Sequence, residues 1–64
     1  MTGVELKAIR AQTGLSQAGF ADLVRADARR IRRYETGERD IPPYSELLFL
    51  LIKDHGAEIL EPYR

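Results

Sequence analysis

Residues 15–39 read LSQAGFADLVRADARRIRRYETGER, and they carry the clearest helix signals in the chain. Ser16 and Asp27 are residue types that favour the N-cap of a helix, and Gly37 is a residue type that ends one. Between these markers, apolar side chains recur at helical spacing: Phe20, Ala21, Leu23, Val24, Ile31 and Tyr34. Two short helices joined by a tight turn form a helix-turn-helix arrangement, although a generic helical hairpin has the same outline.

Helices are also predicted on both sides of this pair. Residues 2–5, TGVE, have the form of a capping box, which indicates a first helix that ends at Gly14. Pro43 suits the first position of a helix, so a fourth helix is expected from there to about Gly56. Residues 57–60 are expected to add one further turn.

The predicted fold class is all-α, a small bundle of four to five helices, because no segment has the pattern of a confident strand. Residues 1–60 are expected to form a single domain, and residues 61–64 a loose C-terminal tail. A chain of 64 residues buries only about 60% of its unfolded surface on folding, so a second subunit is one way to add stability.

The composition argues against an enzyme and for a binding module. The chain has no cysteine and one histidine, so neither a disulfide scaffold nor a metal site is predicted. No nucleophile–base pair or phosphate loop suggests a catalytic centre or a cofactor, and none is predicted. The longest apolar run, residues 47–52, is too short to cross a bilayer, and no signal-peptide pattern opens the chain. We therefore expect a soluble, cytoplasmic protein without membrane contact.

An arginine cluster is the strongest chemical feature of the sequence. Five arginines and one acid, Asp27, lie between residues 25 and 33, so this stretch carries a net charge of +4 in a chain whose net charge is zero. A guanidinium donates two parallel hydrogen bonds, which suits phosphates and guanine edges. A solvated helix face is the alternative, but such faces usually mix both signs. The pattern favours nucleic acid as a partner.

Two motifs make this pattern more specific: LSQAGFADLV at residues 15–24 and RRIRRYETGER at residues 29–39. Together they resemble the Cro/lambda-repressor type of helix-turn-helix protein, also called the xenobiotic-response-element family, over roughly residues 6–51. The resemblance implies a lambda-repressor-like fold and double-stranded DNA as the partner, with the second helix of the pair in the major groove.

The resemblance also implies roles for individual residues. The positions that read base edges are Ala28, Arg29 and Arg33. The positions that match phosphate contacts in the family are Gln17, Arg32, Thr36 and Arg39. Arg25 and Arg30, the neighbouring arginines of the cluster, are added to this predicted phosphate set. Arg10 and Glu35 match a pair that forms an internal salt bridge in some members of the family, so Arg10 is expected to be structural. Gln17 also matches a position that braces a side chain of the second helix.

One position departs from the family pattern. The turn between the two helices normally holds a glycine, and this chain has Arg25 there. A left-handed backbone at this position costs a non-glycine residue on the order of 1 kcal/mol. Arg25 is therefore expected either to reshape the turn or to accept the strain and reach a phosphate.

The fourth helix is apolar on every side over residues 47–52. A helix that packs against one core normally shows a single apolar stripe, so the remaining side is expected to be covered by a second copy. The predicted dimer contact is formed by Tyr44, Leu48, Phe49 and Ile52. A core helix with an exposed apolar patch is the alternative.

The sequence thus predicts a small dimeric DNA-binding transcriptional regulator that represses from an inverted-repeat operator. Its source is left open among phages, mobile elements and bacteria, as is a role as an anti-CRISPR-associated autoregulator. Two rival hypotheses are an antitoxin-like module that holds a protein partner and binds DNA only secondarily, and an RNA-binding protein that uses the arginine-rich helix.

Overall fold

The computed structural model describes residues 1–63, and within that range it contains helices and no strands. Four α-helices follow one another, and a short 3-10 helix closes the described chain. Their bounds are Gly3–Thr13 (α1), Gln17–Leu23 (α2), Ala28–Thr36 (α3), Pro43–His55 (α4) and Ala57–Tyr63 (the C-terminal 3-10 helix). The predicted all-α class and the small helical bundle are confirmed.

The predicted caps define the helix ends. The hydroxyl of Thr2 accepts a hydrogen bond from the Glu5 amide at 3.1 Å, and the Thr2 amide donates to the Glu5 carboxylate at 3.0 Å. These two bonds form the predicted capping box. The Thr2 amide, and after it the Thr2 hydroxyl, hold the pKa of the Glu5 carboxyl below its ordinary value. Gly14 and Gly37 end α1 and α3 with φ of 73° and 84°, a left-handed backbone that favours glycine.

The core lies where all four α-helices meet. Its buried members are apolar side chains from each of them: Leu6, Ile9, Phe20, Ala21, Leu23, Ile31, Tyr34, Phe49 and Ile52. The Phe49 ring is at the centre, 5.7 Å from the Phe20 ring centroid and 6.4 Å from that of Tyr34. Aromatic pairs at these separations add to the hydrophobic stabilisation, so α4 is fixed against α2 and α3 through one side chain.

The predicted dimer contact needs correction. Phe49 and Ile52 are each only 2% exposed within a single chain, so they cannot meet a second copy. Leu48 is half-buried and packs against the core. Because α4 repeats every 3.6 residues, its opposite side carries the accessible apolar residues, and these form the outer face of α4: Tyr44, Leu47, Leu50 and Leu51.

The end of the described chain is more regular than the sequence suggests. The single turn predicted over residues 57–60 continues to Tyr63 as the C-terminal 3-10 helix. The predicted loose tail therefore overlaps helical residues at 61–63, and its last residue, Arg64, lies outside the described residues. No helix within residues 1–63 combines the length and the apolar character needed to span a bilayer.

Candidate nucleic-acid interface

The inner side of helix α3 packs against the core, and most of its arginines lie on the opposite, outer side. Asp27 caps its first turn by accepting a hydrogen bond from the Arg30 amide at 2.8 Å. Ile31 is fully buried and Tyr34 is 4% exposed, so both anchor the helix in the core. Spacings of three and four residues place the other side chains on an outer face: Arg29, Arg32, Arg33 and Thr36. Of these, Arg33 is half-buried and the rest are exposed.

The turn between α2 and α3 is closed by the Ala26 amide, which donates to the Ala21 carbonyl at 2.8 Å. Arg25 adopts the left-handed backbone with φ of 61°, and it is the one non-glycine residue within 1–63 that does so. Its guanidinium donates to the Tyr63 carbonyl at 2.6 Å. The turn thus keeps the geometry that normally requires glycine, and the Arg25 side chain is directed towards the C-terminal 3-10 helix.

A partly buried ion pair joins α1 to α3. The Arg10 guanidinium donates to the two carboxylate oxygens of Glu35 at 2.6 and 3.1 Å and to the Leu15 carbonyl at 3.1 Å. The side chains of Arg10 and Glu35 are 17% and 4% exposed. This confirms the expected internal pair, and Arg10 is engaged within the protein.

Gln17 is part of the same network. Its side-chain amide donates to the Glu35 carboxylate at 3.1 Å, so the first residue of α2 braces α3. An amide nitrogen carries two hydrogens, and the second stays available for another acceptor. Gln17 is thus held in one orientation beside α3, with a donor to spare.

Opposing effects set the pKa of Glu35. Burial raises the pKa of this carboxyl, but the hydrogen bonds from Arg10 and Gln17 and the positive charges of Arg10 and Lys7 outweigh it. The resulting pKa lies below the ordinary value of 4.5. The same pair raises the pKa of the Arg10 guanidinium. Both groups are therefore charged at neutral pH.

Three residues predicted to contact DNA lie together at the C-terminal end of α3 and in the loop after it: Arg33, Thr36 and Arg39. The Thr36 hydroxyl donates to the Arg33 carbonyl at 3.2 Å, and the Arg39 amide donates to the same carbonyl at 3.2 Å. Sequence reasoning missed Glu38, whose carboxylate lies 3.9 Å from the Arg33 guanidinium. An acid five residues after an arginine at a helix end is the signal that points to this pair.

The named residues thus fall into two groups. One group lies on α3 and the loop after it, with Gln17 beside them at the start of α2: Ala28, Arg29, Arg32, Arg33, Thr36 and Arg39. The second group, Arg25 and Arg30, lines a cleft next to Ser45 on α4. Within residues 1–63, no three His, Cys, Asp or Glu side chains come close enough to hold a metal ion.

Comparison with known families adds one finding. A family model described as a helix-turn-helix domain matches residues 3–51, about three quarters of the chain. The match begins with α1 and ends within α4, so it includes α2, α3 and the turn between them. Neither the curated proteins nor the solved structures contain a match to this chain.

Proposed function

The chain belongs to the helix-turn-helix domain family, and on that premise we propose that it is a sequence-specific transcriptional regulator of the Cro/lambda-repressor type. Membership indicates a DNA-binding regulator. The proposal goes further and assigns a repressor that binds as a homodimer to an inverted-repeat operator in double-stranded DNA.

The outer face of α3 is the observation that carries the proposal. It concentrates guanidinium groups on a helix that is capped, buried on its other side and tied to α1 by the Arg10–Glu35 pair. In this proposal Arg29 and Arg33 read base edges, each contact being worth about 1–3 kcal/mol of discrimination, and the Ala28 methyl contacts a thymine.

Phosphate contacts set the register on the duplex without reading sequence. We assign them to residues on both sides of the base-reading positions: Gln17, Arg25, Arg30, Arg32, Thr36 and Arg39. The braced amide of Gln17 supports its assignment, because one hydrogen bond to Glu35 leaves its second N–H free. The bond from Arg25 to Tyr63 uses only one of the five guanidinium N–H groups, so Arg25 also keeps donors.

A dimer through the outer face of α4 completes the proposal. Tyr44 and Leu47 are 89% and 61% exposed, and Leu50 and Leu51 lie beside them. An apolar strip along one helix face suits a self-complementary two-fold contact with the same strip of a second copy. Such a dimer presents two α3 helices to half-sites about one helical turn, ~34 Å, apart.

Selection of bound duplexes from a random DNA pool tests the proposal. We expect an enriched inverted repeat whose half-sites are one turn apart. A single enriched half-site would retain base reading and refute the dimer. If the folded protein enriches no sequence, or if a hairpin RNA competes better than the selected duplex, DNA reading by α3 is wrong.

Two variants separate the assigned roles. Arg33→Ala should relax the base preference at one position of the selected site. Arg39→Ala should weaken all sequences alike and lower the salt dependence, the slope of log K against log salt, by about one. A uniform loss for both variants across a randomised site library would contradict the assignment.

A further inference from the structure

A cleft of about 150 Å³ lies between the α2–α3 turn, α3 and the first turns of α4. Its floor is apolar and includes Val24, Leu48 and Phe49. Its polar lining consists of Arg25, Arg30, Tyr34 and Ser45. The proposed function uses Arg25 and Arg30 as separate phosphate contacts but gives no role to the cleft that they form with Ser45 and Tyr34.

The polar groups of the cleft can all donate hydrogen bonds, and most have no partner. Within residues 1–63, no hydrogen bond or ion pair involves the Arg30 guanidinium, the Ser45 hydroxyl or the Tyr34 hydroxyl. Arg25 uses one N–H on the Tyr63 carbonyl and has others left. No acid lines the cleft. Two guanidinium groups therefore line a small cleft whose lining contains no acid.

This lining suits an oxyanion. Guanidinium groups bind phosphate through paired, charge-assisted hydrogen bonds, and neutral hydroxyls complete the shell around the remaining oxygens. A volume of about 150 Å³ corresponds to about five water molecules at ~30 Å³ each, which is room for a phosphate group with a small apolar substituent. Drug-sized ligands need about 300 Å³ or more.

A second cleft on the molecule lacks these properties. It lies between α1 and α4, has a volume of about 130 Å³ and contains both Glu5 and Lys53 in its lining. Charges of opposite sign in one lining give no preference for an anion. A lining with two arginines and no acid thus distinguishes the cleft at Arg30 from this second cleft.

We propose that the Arg25–Arg30–Ser45 cleft is a phosphate-binding site. Its phosphate comes from one of two sources, a free phosphomonoester with a small apolar group or the backbone of a bound duplex. Only the second source rests on the proposed function. In the first case, an anionic ligand seated beside α3 adds negative charge next to the DNA-facing arginines and lowers the affinity for DNA.

Phenyl phosphate, titrated without DNA and followed by amide chemical shifts, tests the free source. We expect saturable shifts at Arg30 and Ser45. Arg30→Gln should lower the affinity at least 10-fold, and Ser45→Asp, which places a carboxylate in the cleft, should abolish it. Lys53→Gln removes the same charge from α4 outside the cleft and should leave the affinity unchanged. Equal losses in Arg30→Gln and Lys53→Gln would overturn the free-phosphate site.

DNA titrations of the same variants test the duplex source. If the duplex supplies the phosphate, Arg30→Gln lowers the salt slope by about one and Ser45→Asp weakens binding at least 10-fold, while Lys53→Gln does neither. Phenyl phosphate then causes no saturable shift in the free protein. Absence of both responses overturns the phosphate site.

The two proposals fail separately. If the wild type enriches a DNA site and neither cleft variant alters its binding or any phosphate response, the cleft proposal and the phosphate assignment of Arg30 are wrong, and base reading by α3 stands. If phenyl phosphate binds at Arg30 but no duplex is enriched, the proposed function is wrong and the phosphate site stands.

Discussion

Arg10 on α1 and Glu35 on α3 are joined by a two-point ion pair, with N–O distances of 2.6 and 3.1 Å. Gln17 is attached to the pair through the same carboxylate. Removal of one member leaves the other charge partly buried and with fewer hydrogen bonds. The position of α3 therefore depends on both members of the pair.

Replacement of one partner should be costly. Arg10→Met leaves the partly buried Glu35 carboxylate with Gln17 as its remaining side-chain donor, and we expect a loss of about 2 kcal/mol in the free energy of unfolding, measured by urea titration. The double variant Arg10→Met with Glu35→Leu removes both charges and should recover most of that loss. A double variant as unstable as Arg10→Met would show that packing, and not the unpaired charge, explains the cost.

The same carboxylate predicts the response to acid. Because the pKa of Glu35 is lower in the folded chain than its ordinary value of 4.5, its contribution is complete above that value and is lost as pH falls through the folded pKa. We expect the stability difference between wild type and Glu35→Gln to shrink as the pH falls below 4.5. A difference that stays constant over this range would refute the assignment.

Gly3 marks the closest approach of α1 to α3. A Cβ atom at Gly3 would lie 2.4 Å from the carbonyl oxygens of Tyr34 and Glu35, which are backbone atoms and cannot turn aside. We expect Gly3→Ala to destabilise the fold by about 1–3 kcal/mol in thermal or urea unfolding. Gly19→Ala is the control, because its Cβ would meet Ser16 Oγ at 3.4 Å, an ordinary contact. That variant should be neutral or more stable by up to about 1 kcal/mol.

The capping hydrogen bond that Asp27 accepts at the start of α3 can be tested separately from the charge of Asp27. Asp27→Ala removes the acceptor for the Arg30 amide and should cost about 1 kcal/mol of stability. Asp27→Asn keeps an acceptor and should cost much less. Both variants raise the net charge by one, so their unfolding curves compare the cap alone. Equal losses in the two would assign the effect to charge.

The outer face of α4 predicts the oligomeric state. Leu47→Glu places a charge in the centre of this face and should raise the dimer dissociation constant at least 10-fold in sedimentation equilibrium. Val4→Glu, at an apolar residue on α1 that is 78% exposed, should leave it unchanged. A wild type that stays monomeric at all concentrations removes the dimer from the proposed function.

The two ends of α3 could be predicted from the sequence because each depends on residues within one helical turn. Asp27 accepts a bond from an amide three residues later, and Gly37 takes a backbone conformation that few other residues tolerate. Ile31 and Tyr34 lie on one side of the helix whatever packs against them. These features depend on neighbours within one turn, so the pattern of residues contains the information.

The buried side of α4 could not be predicted in this way. Leucine, phenylalanine and isoleucine follow one another from 47 to 52, so hydrophobicity is equal on all sides. The choice of Phe49 and Ile52 for the core depends on how the rings of Phe20 and Tyr34 meet α4 in three dimensions.

The candidate site likewise has a part that the sequence predicts and a part that it does not. Arginines at helical spacing indicated the outer face of α3, and the resemblance supplied the Arg10–Glu35 pair. The bond from Arg25 to Tyr63 joins residues 38 positions apart, and no periodicity relates them. The cleft at Ser45 could not be predicted for the same reason, since the α2–α3 turn, α3 and α4 all contribute to it.

The left-handed backbone at Arg25 has a consequence for amide hydrogen exchange. The bond to the Tyr63 carbonyl is exposed and closes a long loop, so the C-terminal 3-10 helix opens far more readily than the core. Each opening also breaks the hydrogen bond of the Arg25 side chain, whose backbone is in the left-handed conformation. The hydrogen bond from the Ala26 amide to the Ala21 carbonyl closes the turn. We therefore expect the Ala26 amide to exchange in one cooperative unit with the amides of the C-terminal 3-10 helix, although the two segments lie far apart in the sequence.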